Sequence, residues 1–183
     1  MTGRIIVDGS SPIDELVYGV SSNDRWIRFG ITFDRGFLAM TDPRRFSRVT
    51  FSRPDVNLGP DALSSDLCEA VRGKLPNRGN IKGVLLNQAV VAGLGNMLVD
   101  EVLSRSRVDP RRDIATMKDS LIHKVFQTVS STLPELLERG GSHRGDLAAE
   151  LRKPGSGCPY DGRELVRATV AGRTTYWCPY HQK

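Results

Sequence analysis

The chain has 183 residues, 39% of them hydrophobic and 26% charged, a balance that fits a soluble globular protein and excludes fibrous and low-complexity classes. No apolar run reaches the roughly 20 residues of a membrane span, and "MTGRIIVDGSSPIDEL" lacks the apolar core of a secretory signal, so the expected location is the cytoplasm, with no membrane partner. A net charge of +5 and a pI near 9.4 point to an anionic partner.

Residues 3 to about 52 alternate in short runs, "RIIV", "RWIRFGITF", "GFLAMT" and "SRVTFS", rich in β-branched and aromatic residues and broken by Gly, Asp, Asn and Pro. They predict a small antiparallel sheet. From about Pro60 the composition turns helical, and "GPDALSSDLCEAVRGKL" offers Ser64, Ser65 or Asp66 as a cap. "IKGVLLNQAVV" is apolar enough for a buried helix, "AGLGN" interrupts it, and "NMLVDEVLSRSR" resumes with Met97, Leu98, Val102 and Leu103 at helical spacing. Asp109-Pro110 stops that run. "KDSLIHKVFQTVSSTLPELLERGG" then predicts one long helix ending at Gly140-Gly141 despite Pro134. Ser142 to Gly157 is polar and predicts a connector. The final "LVRATV-AG-RTTYWC" predicts a hairpin turning at Ala171-Gly172.

Basic charge is concentrated in two places. The segment from Leu151 to Lys183 carries six basic against two acidic residues, and "DPRRFSR" spans residues 42–48. As a turn, "DPRRF" would simply hold solvated arginines.

Three cysteines in a reducing compartment make Cys158 and Cys178 metal ligands rather than a disulfide, with Cys68 a lone, partly buried thiol. Cys178-x-x-His181 reads as one zinc knuckle and Cys158 as the start of another. The fourth ligand is His143, from the connector, or Asp161, in the first knuckle. The alternative is a metal-free hairpin packed by Tyr160, Tyr176, Trp177 and Tyr180. His123 reads as an ordinary residue of the long helix.

In "NQAVVAGLGNMLVDEVLSRSRVDP", Gly93 and Gly95 permit close approach at a turn, and Asn96 opens a helix whose free N–H groups favour a phosphate. Tight helix contact would need the same glycines.

The stretch "NQAVVAGLGNMLVDEVL" resembles the helix-two-turn-helix signature of the formamidopyrimidine-DNA glycosylase and endonuclease VIII family. "DPRRF" resembles that family's void-filling loop, "LGP" at 58–60 its interdomain region, and "GRTTYWCPYHQ" the end of its zinc finger. "SHRGDLAAE" and "CPYDG" look most like its actinobacterial endonuclease VIII branch. The resemblance covers nearly the whole chain and implies an α+β fold: a partial antiparallel β-sandwich half in residues 1–59, a helix-two-turn-helix bundle in 60–141, and a connector with a C-terminal zinc-finger β-hairpin in 142–183. It further implies that Asn96 and Arg173 grip the phosphates flanking a lesion. Met1, Arg45 and Phe46 would fill the gap in the duplex. Zn2+ would be structural, and the partner would be damaged or abasic double-stranded DNA at the nucleoid.

The family's catalytic proline and glutamate, which follow the initiator Met, have no match in "MTGRIIV". That opening matches a point inside the family's catalytic domain, so the resemblance implies an N-terminal truncation, loss of a catalytic lysine, and a shortened lesion-capping loop between Gly141 and Cys158. The expectation is a damaged-DNA-binding protein without catalysis. An active glycosylase and AP lyase, by itself or with a separately supplied N-terminal part, is the enzyme alternative, and a structural or interaction protein the third. A half-sandwich is also expected to expose an apolar sheet face open to an N-terminal-half partner or to self-association.

Overall fold

The computed structural model describes residues 3–10, 24–51 and 57–183. The chain divides into two compact units, Met1–Asp55 and Val56–Lys183.

In the first unit, β1 (Arg4–Val7), β2 (Ile27–Phe33) and β3 (Gly36–Thr41) form an antiparallel sheet in the order β1-β3-β2. Ile5 pairs with Met40, Val7 and Ile31 with Leu38, and Phe29 with Met40. Alternation therefore sets Ile5, Val7, Phe29, Ile31, Phe33, Leu38 and Met40 on one face. Ile5, Val7, Ile31 and Phe33 remain 39–56% exposed there, so among the described residues this apolar face is open. The opposite face buries Ile6 and Ala39, and the Phe37 ring lies over Gly30, where a side chain would come within 2.8 Å of it. "SRVTFS" does not form the expected strand: residues 47–50 have no regular structure, because Ser47 is bonded through both its N–H and its hydroxyl to Asp42.

The second unit is helical. α1 (Leu67–Ala70), α2 (Ile81–Leu86), α3 (Asn96–Ser106) and α4 (Asp119–Glu138) enclose one core. α4 buries Val125, Phe126, Val129, Leu133 and Leu136, the i, i+4, i+7 stripe that its sequence predicts, and it passes through Pro134 to end near Gly140 and Gly141, both in the left-handed region. α3 is buried on nearly every side, Asp100 and Glu101 included. α2 is shorter than "IKGVLLNQAVV" suggests, because Asn87 ends it: the Asn87 carbonyl accepts the N–H groups of Val90 and Val91, and its side chain accepts that of Ala89.

The turn between α2 and α3 is clamped by Gln88. Its side chain donates to the carbonyls of Leu86 and Leu94 and accepts from Gly93 N–H, while its own carbonyl accepts from Gly59 N–H. Gly59 approaches so closely that a Cβ there would lie 2.4 Å from the Val90 carbonyl oxygen.

After α4 the connector runs through short 3-10 turns at Ser142–Arg144 and Ala149–Leu151. The chain then closes with the hairpin β4 (Val166–Val170) and β5 (Arg173–Trp177). Ala171 and Gly172, with φ of 52° and 70°, form the expected tight turn, whose paired positive φ matches the twist of the strands. Among the described residues no helix is long and apolar enough to cross a membrane.

Candidate nucleic-acid interface

Gly95 is the N-cap of α3 in extended conformation, and no side chain caps the helix. The first N–H groups of α3 are thus left without intrahelical partners, and together with the helix dipole they form an anion-binding end. Asn96 does not turn back to cap this end. Its side-chain NH2 donates to the Thr174 carbonyl of β5 at 2.9 Å, and its Oδ1 is buried without a protein partner. Arg173, exposed, is the residue before Thr174. One hydrogen bond therefore ties the opening of α3 to the strand that presents Arg173.

The strand is fixed from beneath. Lys82 of α2 is fully buried and donates to Asp100 of α3 at 2.6 Å and to the Thr175 hydroxyl at 2.7 Å. Arg152 of the connector takes the other Asp100 oxygen at 2.6 Å, and Tyr176 N–H approaches it at 3.5 Å. Burial pushes the Lys82 ammonium below the ordinary lysine range, Asp100 opposes that shift, and Arg152 and Arg173 add to it. One carboxylate thus faces two buried cations with Arg173 nearby, a positive balance suited to phosphate.

At the base of the hairpin, ligand atoms of Cys158, Asp161 and Cys178 lie within 4.8 Å of one another. The Asp161 carboxylate oxygens are 3.3 and 3.5 Å from Cys178 Sγ. His181 is elsewhere: its Nε2 is 2.9 Å from the Ser104 carbonyl of α3, and its ring stacks on Tyr160 with centroids 4.2 Å apart. His143 sits in the 3-10 turn after α4 and is not part of the thiol cluster either.

In the first unit, Arg45 and Phe46 follow the end of β3. Arg45 holds a left-handed φ of 60°, and Phe46 is 80% exposed beneath the Arg44 guanidinium, 5.3 Å from its ring centre. Met1 lies outside the described residues.

Residues 58–146 match the formamidopyrimidine-DNA glycosylase H2TH domain. A formamidopyrimidine-DNA glycosylase of Carboxydothermus hydrogenoformans is 30% identical over 201 residues, spanning 100% of this chain and 71% of that protein. The enzyme of the same name from Desulfitobacterium hafniense is 29% identical, over 98% of this chain and 71% of its own length. The chain belongs to the formamidopyrimidine-DNA glycosylase family. A solved complex between the Lactococcus lactis Fpg and DNA containing an abasic site superposes with a TM-score of 0.78 at 27% identity, covering 100% of this chain and 72% of that one.

Of the residues that the family resemblance singled out, Asn96 and Arg173 are brought together. Of the candidate metal ligands, Cys158 and Cys178 are together with Asp161, the alternative fourth ligand, while His143 and His181 do not join them. Two thiols and a carboxylate within reach of one ion fit three of the four positions of a structural zinc. Lys82, Asp100, Gln88 and Arg152 carry the site without having been singled out. A lysine inside the apolar "IKGVLL" was the one signal available, since a charge at such a position must find a buried partner.

Replacing Lys82 with methionine keeps the volume but leaves Asp100 with Arg152 and the long Tyr176 N–H contact. Removing one partner of a buried ion pair costs about 3–5 kcal/mol, and the surviving Arg152 bond puts Lys82→Met at the low end, about 3 kcal/mol. Urea unfolding followed by far-ultraviolet circular dichroism measures this; an unchanged midpoint would show that the Asp100 pairing is dispensable.

Proposed function

We propose that the chain grips the backbone of damaged or abasic duplex DNA, with the free N-terminus of α3 and Arg173 holding adjoining phosphates and Arg45 and Phe46 entering the gap left by an extruded nucleotide. The observation that carries this reading is the Asn96–Thr174 bond, which couples an uncapped helix end to an exposed arginine. The complexes of the Lactococcus lactis protein with abasic DNA support the choice of ligand. Residues 60–141 would form the DNA-binding domain and 142–183 the connector and finger, working in the cytoplasm at the nucleoid. Extruding a nucleotide costs a few kcal/mol, and paired backbone grips with an Arg and aromatic wedge are suited to offset it.

Fluorescence anisotropy with duplexes carrying a tetrahydrofuran abasic analogue tests the grip. Arg173→Ala is expected to weaken binding roughly ten-fold or more, as loss of a charged hydrogen bond does, and to lower the salt slope by about 1. Equal affinity for abasic and undamaged duplex, or binding insensitive to salt, would refute the reading.

Family membership favours a second reading, catalysis of base excision and strand cleavage. That chemistry needs a free amine beside the lesion. Lys82, the amine that the grip does hold, is sealed by Asp100 and Thr175, which supports binding without excision by these residues. Borohydride treatment on an oxidised-base duplex is expected to trap no covalent adduct with this chain; an adduct would establish the enzyme reading.

Zinc, when bound, would cross-link the two knuckles through Cys158, Asp161 and Cys178 in a structural role. With Co2+ substituted, the thiolate charge-transfer band should persist in His143→Ala and weaken or shift in Asp161→Ala. The opposite pattern would make His143 the ligand.

A further inference from the structure

Among the described residues the turn that carries Arg45 and Phe46 has little apolar contact to hold it: Phe46 is 80% exposed, and Arg44, Arg45 and Ser47 are exposed as well. A loop of this kind ordinarily samples many conformations, and a non-glycine residue in the left-handed region persists only where its surroundings over-determine it. Among the described residues one side chain gathers most of the bonds that shape it. Asp42 is 3% exposed, and its carboxylate accepts the N–H groups of Arg44 at 3.0 Å, Phe46 at 2.7 Å and Ser47 at 2.6 Å, together with the Ser47 hydroxyl at 2.8 Å. Its backbone joins this array to the sheet. Asp42 N–H donates to the Trp26 carbonyl at 2.9 Å, and its carbonyl accepts from Arg28 Nε at 3.1 Å and Arg45 N–H at 3.3 Å.

We propose that Asp42 is a positioning residue for lesion recognition: it pre-forms the Arg45-Phe46 wedge before DNA arrives, so that the ordering entropy of the turn is already met when the duplex gap is filled. This rests on the wedge role assigned to Arg45 and Phe46 above. Asp42 touches no DNA in this scheme and acts only through the backbone of the turn. The Ser47 hydroxyl first, then the converging N–H groups, hold its carboxyl down at about 2, so the acceptor stays ionised at any pH where DNA is bound. An asparagine has the same shape but lacks the charge and the second acceptor oxygen, so it cannot serve all four donors. Pre-organisation of this kind improves affinity without a new contact.

The experiment uses the full chain with Asp42→Asn, Ser47→Ala and an Arg45→Ala/Phe46→Ala double variant. Two readouts are taken: amide hydrogen exchange without DNA, and binding to abasic against undamaged duplex. In Asp42→Asn, exchange at the Phe46 and Ser47 amides should accelerate while the β1–β3 ladder stays protected, and the abasic preference should fall by about ten-fold, one unit of log affinity, with undamaged-duplex binding unchanged. Ser47→Ala removes one of the four bonds and should give a smaller effect in the same direction. Adding Asp42→Asn to the double variant should cost nothing further, since the wedge it positions is gone. Unchanged protection at Phe46 and Ser47 would overturn the positioning role whatever the DNA data show. If the double variant lowers the abasic preference and Asp42→Asn does not, the positioning role falls and the wedge reading stands. If the double variant has no effect, the wedge reading falls and takes the proposal with it.

Discussion

Asp100 carries a full charge in the middle of a helix that is buried on nearly every side, and the arrangement of the second unit follows from how that charge is met. Withdrawing a carboxylate from water costs several kcal/mol even after relaxation. Two charge-assisted bonds, from Lys82 and Arg152 at 2.6 Å each, return about 1.5–3 kcal/mol apiece. Lys82 and Arg152 carry desolvation costs of their own, so the cluster contributes little net stability. Its effect is on geometry: α2, the connector and β5 all supply groups to one carboxylate of α3, and the relative placement of those four elements follows from it.

The neighbouring residue does the same work on another side of the helix. Glu101 is buried and accepts the N–H groups of Asp146 and Leu147 at 2.9 and 2.8 Å, as well as Arg105 at 2.6 Å. Arg105 in turn reaches Glu135 of α4 and Asp146. Gly145 is needed beside it, because a Cβ there would fall 2.6 Å from the Glu101 carboxyl carbon. Successive helix residues point about 100° apart, so the adjacent acids of "VDEVL" reach in different directions. Asp100 orders the hairpin that presents Arg173, and Glu101 orders the chain that leads to it. α3 is thereby the reference against which Arg173 is placed, and its own N-terminus is left uncapped.

What the sequence revealed and what it concealed divide along the range of the interactions. Alternation in "RIIV" and "GFLAMT", the apolar stripe of α4 with its terminal glycines, and the Ala171-Gly172 turn are local patterns, and the corresponding elements form where they were expected. "SRVTFS" has the same local pattern, but a carboxylate five residues upstream captures Ser47 and no strand forms. The Lys82–Thr175 bond spans 93 positions, and no periodicity reports a pairing of that range. The family motif singled out Asn96 and Arg173, yet the bond that sets Asn96 beside the strand of Arg173 runs from its side chain to the main-chain carbonyl of Thr174, whose residue type is irrelevant to the contact. The histidines show the same limit. Knuckle spacing made His181 a ligand candidate, whereas Tyr160 and the Ser104 carbonyl, distant in sequence, offer its ring a stack and a hydrogen bond away from the thiols.

That placement of His181 bears on how the hairpin is anchored. Its contact with Ser104 joins the second knuckle to the end of α3, and the residues that follow extend the attachment. Gln182, 2% exposed, accepts from Cys178 N–H and donates to the Val108 carbonyl, and the Lys183 backbone pairs with Arg107 and Asp109. The hairpin is therefore fixed at its base by the chain terminus and near its tip by Lys82–Thr175 and Asn96–Thr174. An ion among Cys158, Asp161 and Cys178 would close the two knuckles on each other, and it would do so at the far end of β5 from Arg173. The orientation of that arginine is set mainly by the Lys82, Asp100 and Asn96 contacts, so the proposed phosphate grip and the thiol cluster are separable features of one hairpin.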